Sequence, residues 1–189
     1  KQMKLQSLGI QNFRNIKELF FDGSTKAVFF VGANGEGKTN ILEAIFCLFR
    51  GRSFRTYSGK NDWVRRDEKE TVARTEVRGR IVNSYGSQNT VQFLLNEKGR
   101  WESRLDEKKV SSKLLRERIP IVVFSPEDHS IIRSGPEARR HFMDELFSAI
   151  CPGYIEVQEK FERSLGQRNE LLKKMQQGQI VPLEERSAW

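Results

Sequence analysis

The sequence predicts an α/β fold in which a mixed sheet with an antiparallel meander is followed by the start of a helical lobe. Three observations carry that expectation. A continuous apolar run, Ala27-Val28-Phe29-Phe30-Val31, leads into a glycine-rich segment and then into residues with helical periodicity. Between residues 70 and 105, β-prone stretches alternate with turn residues. From Pro136 onward the apolar spacing is helical.

Taken in order, residues 4–13 read as a strand and 16–21 as a second, joined by a polar turn at Arg14 and Asn15. Asp22, Gly23 and Ser24 break the pattern. The run 27–31 has the form of a strand buried on both faces. Ile41, Leu42, Ala44, Ile45, Leu48 and Phe49 then recur at helical spacing, and Gly51 is placed to close that helix. Strands are expected at 71–82, 90–95 and 100–105, with Gly86 and Gly99 in the turns. A short basic helix at 111–118 precedes a second buried-type strand at 121–124, which ends in Ser125-Pro126. Phe142, Leu146 and Ile150 line one later helix, and Phe161, Leu165, Leu172 and Met175 line the next. Cys151-Pro152-Gly153 forms the corner between them.

The chain carries 33 Lys and Arg against 25 Asp and Glu, a formal charge of +8, with the bases spread along its length. Such a field attracts polyanions, nucleic acid or anionic lipid, although a solvated basic surface with no polyanion partner accounts for the same count. Cys47 and Cys151 stand far apart in apolar contexts and read as small buried thiols, with neither a disulfide framework nor a zinc site in their spacing. A reducing cytosol is the natural compartment. There is no run of eighteen apolar residues, and the first residues alternate polar and apolar, so a soluble, unexported protein is expected. The start at Lys1 and the abrupt end at Ala188-Trp189 suggest part of a longer protein.

Gly32-Ala33-Asn34-Gly35-Glu36-Gly37-Lys38-Thr39 satisfies the pattern Gly, four residues, Gly, Lys, then Ser or Thr. Glycines at 32, 35 and 37 permit backbone angles and close approach that a Cβ would block, so successive N–H groups can converge on phosphate oxygens. The helix that follows, through Asn40, adds its free amides and positive dipole end. Lys38, the candidate catalytic residue, is expected to reach the β- and γ-phosphates of ATP, and the Thr39 hydroxyl to ligate Mg²⁺.

Hydrolysis requires in addition a carboxylate near Mg²⁺ and a group that orients water. Glu127 and Asp128 follow the apolar run 121–124, where they form either a helix cap or a nucleotide-sensing loop. Asp144 and Glu145 lie in a helical pattern and read as a solvated face. Ser164-Leu165-Gly166-Gln167 imitates the Ser-Gly-Gly-Gln signature of ABC-type ATPases, but its charged, helix-periodic flanks read as a long exposed helix.

Several segments match the RecF family in order: Asn12-Phe13-Arg14-Asn15, the phosphate loop with Asn40-Ile41-Leu42-Glu43-Ala44-Ile45, and Gly51 with Ser53-Phe54-Arg55-Thr56. Val123-Phe124-Ser125-Pro126-Glu127-Asp128, Arg139-Arg140 with Phe142-Met143-Asp144, and Gln167-Arg168-Asn169 follow. Over nearly its whole length the chain thus resembles that family of gap-repair relatives of the SMC proteins. The resemblance implies an ABC-type P-loop head, with an ATP-binding lobe at 1–134 and the first helices of a second lobe at 135–189. It implies that Arg14 and Asn15 lie near the nucleotide, and that residues 124–128 link the lobes, with Asp128 toward the metal. It further implies an ATP-dependent homodimer that binds DNA at gaps, works with RecO and RecR in recombinational repair, replication restart and the SOS response, and resides in the cytoplasm at the nucleoid. The signature and acidic motif of such enzymes lie outside this chain, so weak DNA-dependent ATPase activity is expected of the full protein and inefficient hydrolysis of this part.

Arg65, Arg66, Arg139 and Arg140 are the candidate DNA contacts. Two other readings compete: a transporter-type or small-molecule P-loop ATPase, for which no coupling surface or acceptor pocket is legible, and an interaction module whose loop has lost its ligand.

Overall fold

The computed structural model describes residues 3–22, 26–55, 60–65, 74–125 and 135–178. The chain divides into two compact units, Lys1–Ser125 and Pro126–Trp189.

In the first unit, alternation of apolar and polar residues produces β1 (Met3–Phe13) and β2 (Ile16–Asp22), which pair antiparallel through the two-residue turn Arg14-Asn15. β3 (Glu76–Asn83), β4 (Gln88–Leu95), β5 (Trp101–Leu105) and β6 (Lys108–Val110) extend the sheet in the order β2-β1-β3-β4-β5-β6, every pairing antiparallel. The meander is therefore where the β-prone stretches and Gly86 and Gly99 place it, with both glycines at positive φ in turns. β6 is a further strand that the sequence pattern does not announce.

α1 (Lys38–Arg50) lies on one face of this sheet, and its stripe of Ile41, Ala44, Leu48 and Phe49 packs with Leu8, Ile10, Val77, Ile81 and Val91 into one core. Gly79 makes the approach possible, since a Cβ there would stand 2.7 Å from Leu48 Cδ2. Gly51 ends the helix in the left-handed conformation, its N–H donating to the Cys47 carbonyl. A single 3-10 turn, Lys60–Trp63, inserts Trp63 among Phe93 and Trp101 at ring-centroid distances of 5.6 and 5.2 Å. The short helix α2 (Ser112–Arg118) begins at Ser111, whose hydroxyl accepts from the Leu114 N–H.

Two expected strands do not form. Residues 27–31 and 121–124 carry no strand pairing, and Phe29, Val31, Val122 and Phe124 are exposed. A strand buried on both faces exists only when ladders flank it and layers cover it. Among the described residues no strand takes either run as a neighbour, and the Arg50 guanidinium donates to the carbonyls of Ile119 and Ile121 at 3.1 and 2.9 Å. Burial and the nearby Arg116 and Arg52 push the Arg50 pKa down to about 10.

The second unit contains α3 (Pro136–Ile150) and α4 (Tyr154–Gln176), joined at Cys151-Pro152-Gly153 as expected, with Pro136 in the first turn of α3 and Gly153 at positive φ. Cys151 is exposed, unlike Cys47, because it caps the end of α3 at the corner and not on a packed face. Asp144 is not freely solvated either: it is half-buried, and its carboxylate accepts from the Tyr154 hydroxyl at 2.6 Å. Ser164-Leu165-Gly166-Gln167 lies inside α4.

Candidate phosphate-binding site

The glycine-rich segment forms a tight loop that turns directly into α1. Gly35 and Gly37 have φ of 88° and 100°, the left-handed region in which a side chain is strained. At Gly37 the requirement is double, because a Cβ would stand 2.7 Å from the Asn15 Oδ1. Gly37 also caps α1 without any side-chain acceptor, and no acidic residue occupies the first turn. The first amides of an α-helix have no intrahelical partner, so this end of α1 presents donors and a positive dipole end to the loop.

Two side chains occupy the loop's own polar groups. The Ala33 N–H donates to the Glu36 carboxylate at 2.9 Å, and the Lys38 ammonium donates to the carbonyls of Gly32 and Ala33, both at 2.6 Å. An anion reaching these groups must displace Glu36 and draw Lys38 away from the carbonyls. Asn34, Gly35, Gly37, Lys38, Thr39, Asn40 and Arg55 line a cavity of about 210 Å³ over the loop.

The β1–β2 turn reaches this loop as well. Asn15 donates through Nδ2 to the Gly35 carbonyl at 3.3 Å and accepts from Asn40 Nδ2 at 2.7 Å. Arg14, at φ 52°, holds Glu43 of α1 with two bonds, Nε at 2.6 Å and Nη2 at 2.7 Å. Glu43 is fully buried and is also met by the Ser53 hydroxyl at 2.7 Å and by Arg55 Nη1 at 3.3 Å. Arg55 donates in turn to Asn40 Oδ1 at 2.9 Å. Burial, and after it the Glu43 carboxylate, push the neighbouring Cys47 thiol far above its usual range, which leaves it an unreactive core group. A second recess of about 410 Å³ adjoins this cluster, lined by Arg14, Asn40, Arg55, Asp62 and Val64.

Of the residues singled out in the sequence, Gly32 to Asn40 and Asn15 therefore meet at one place, and Arg14 stands beside it. Glu43, Ser53 and Asp62 join the same cluster, and sequence reasoning gave none of them a part in the site. The sequence signals for them are the lone glutamate in the otherwise apolar run 41–49 and the family-matching segments that contain Glu43 and Ser53. Arg65 is anchored to the turn, donating through Nη1 to the Asn15 carbonyl at 2.7 Å, while Arg139 and Arg140 are exposed on α3. Arg66 and Asp128 lie outside the described residues. Among the described residues no group of three or more His, Cys, Asp or Glu is gathered to hold a metal, and no helix is long and apolar enough to cross a membrane.

A sequence profile of the RecF/RecN/SMC N-terminal domain matches residues 4–174. The chain belongs to this family. RecF/RecN/SMC relatives include the DNA replication and repair protein RecF of Clostridioides difficile strain 630, 34% identical over 173 residues, which make up 90% of this chain and 44% of that protein. The RecF protein of Lactobacillus acidophilus is 35% identical over 178 residues, 93% of this chain and 45% of its own length. The chain thus spans about half the length of the curated relatives it matches. Among solved structures, the recombination mediator protein RecF with ATP, of the RecFOR pathway, superposes with a TM-score of 0.75 at 30% identity, covering 95% of this chain and 47% of that one. An SMC ATPase studied for ATP-driven dimerization shares the fold at a TM-score of 0.58 and 19% identity, covering 76% of this chain and 99% of its own. The architecture is accordingly that of RecF and SMC heads, an α/β ABC-type lobe followed by helices.

Proposed function

We propose that this chain is the N-terminal, ATP-binding part of a RecF-type DNA replication and repair ATPase. The observation that carries the reading is the phosphate loop: two left-handed glycines lead into a helix start whose cap offers no side-chain acceptor. At Gly37 glycine is required twice over, by its left-handed φ and by the Asn15 side chain, which would stand 2.7 Å from an added Cβ. Residues 1–134 form the nucleotide lobe and 135–189 open the helical lobe.

In this reading the amides of residues 33–38 take the phosphate oxygens of ATP once Glu36 releases the Ala33 N–H. Lys38 exchanges the Gly32 and Ala33 carbonyls for the β- and γ-phosphates, and Arg14 and Asn15 border the nucleotide. Thr39, at the first turn of α1, and Asp128 would hold Mg²⁺, which when bound neutralises phosphate charge. Closure of two copies around ATP would bring DNA against Arg65, Arg66, Arg139 and Arg140, with hydrolysis, slow even in the full protein, releasing it. RecO and RecR, recombinational gap repair, the SOS response and a nucleoid-associated cytoplasmic location complete the reading and rest on family membership.

Titration with ATP tests the core of this proposal. The wild-type chain should bind, and Lys38→Ala should weaken binding by at least about 30-fold, a charge-assisted contact of roughly 2 kcal/mol or more. Equal affinity in the two proteins would mean that the loop is not used. DNA binding is tested separately by its dependence on salt. Neutralising several phosphates makes log affinity fall against log salt with a slope of about −0.9 per phosphate on duplex DNA, so a flat dependence would remove the basic side chains from the interface.

A further inference from the structure

We infer that Glu43 is a positioning residue for the phosphate site: it holds Arg14 and Arg55 in fixed places beside the loop so that their guanidinium groups meet the polyphosphate of the nucleotide. The inference rests on the ATP-binding reading above and adds a role to a residue that never faces the ligand.

A fully buried carboxylate on a packed helix face is costly unless it is paired, and Glu43 lies in the stripe of α1 that carries the buried Phe46 and Cys47, three and four residues on. An apolar residue would continue that stripe at no electrostatic cost. What the carboxylate supplies instead is a common anchor for three segments far apart in sequence. Arg14 arrives from the β1–β2 turn and is gripped through two bonds of 2.6 and 2.7 Å, a forked geometry that fixes the guanidinium plane. Ser53 and Arg55 arrive from the segment after α1, at 2.7 and 3.3 Å, and the Ser53 hydroxyl also accepts from the Arg55 N–H at 2.9 Å.

The anchor is also rigid relative to the loop, because Glu43 follows Lys38 on the same helix. Arg55 borders the cavity over the phosphate loop, and with Arg14 it also lines the adjoining recess. Lys38 and Arg55 are the charged residues that line the loop cavity, while Asp62 lines only the recess, so the side from which an anion enters is positive. Arg55 is additionally tied through Asn40 to Asn15 and from there to the Gly35 carbonyl. A shift in the Glu43 anchor is thereby transmitted to the loop itself.

A double-variant cycle in ATP affinity, on the whole chain, separates positioning from mere folding support. Glu43→Gln keeps the shape and removes the charge that aligns both arginines, and it should weaken ATP binding about tenfold. Arg55→Gln should do the same, and the combined variant should lose clearly less than the product of the two losses, because part of the effect of Glu43 passes through Arg55 and the rest through Arg14. Wild-type affinity in folded Glu43→Gln, or losses that simply add, would overturn the inference, since a purely structural glutamate changes the melting temperature without coupling to Arg55 in ATP affinity. Should Glu43→Gln not fold, Ser53→Ala carries the test: a loss of about threefold supports positioning, and unchanged affinity overturns it. If wild type binds ATP and Lys38→Ala does not, a failure here concerns Glu43 alone. If wild type binds no ATP, both readings fall.

Discussion

Trp63→Ala should lower the unfolding free energy of the first unit by about 3–5 kcal/mol, the range for truncating a large aromatic in a core that cannot collapse around the gap. The indole is 2% exposed although it sits in a single 3-10 turn among charged residues. It packs edge-on to Phe93 and Trp101, and those two rings stack at 4.7 Å, so its removal opens a cavity bounded by stiff aromatic walls. The backbone around it is equally committed. The Trp63 carbonyl accepts from the Arg14 N–H at 2.9 Å, and Val64 bridges to Phe13, so the segment is a strut between the meander and the β1–β2 turn. Urea denaturation followed by circular dichroism measures the loss, and Trp63→Phe should recover more than half of it by refilling most of the volume. A loss below about 1 kcal/mol, typical of surface substitutions, would mean that the aromatic cluster does not hold this segment.

The elements that sequence reasoning located well are those specified locally. Alternation fixes β1 and β2 to within a residue, and the spacing of Ile41, Ala44, Ile45 and Leu48 with a terminal Gly51 fixes α1. The apolar runs at 27–31 and 121–124 misled for a physical reason: apolarity records a tendency to be buried, whereas a strand also needs a hydrogen-bonding neighbour. That neighbour is set by residues distant in sequence, and the chain spans only about half the length of its RecF relatives. The candidate site divides along the same line. The loop from Gly32 to Thr39 is contiguous and legible from its glycines. The Arg14–Glu43–Arg55 cluster is assembled from a turn, a helix and the segment after it, and no spacing rule connects those positions. Trp63 escapes sequence reasoning in the same way, since one tryptophan among charges carries no period.

Gly37→Ala should reduce ATP affinity by about 30-fold or more, well beyond the loss from Gly35→Ala. Both positions are left-handed, and a side chain there costs on the order of 1–2 kcal/mol by itself. At Gly35 strain is the only cost within the protein, because no protein atom lies within 4 Å of an added Cβ. At Gly37 the new methyl group would press to 2.7 Å from Asn15 Oδ1 and 3.0 Å from its Nδ2, so Asn15 must move. The move breaks its bonds to the Gly35 carbonyl and to Asn40, through which the side chain of the β1–β2 turn holds the loop. It also loosens Asn40, on which Arg55 leans. The loop thus loses its shape at the point where its amides converge. Asn15→Ala in the Gly37→Ala background removes the collision but not the strain, and it should restore part of the affinity. Calorimetric titration of the wild type and these three variants decides the matter: equal losses for Gly35→Ala and Gly37→Ala would show that backbone strain alone, and not the contact with Asn15, sets the form of the phosphate loop.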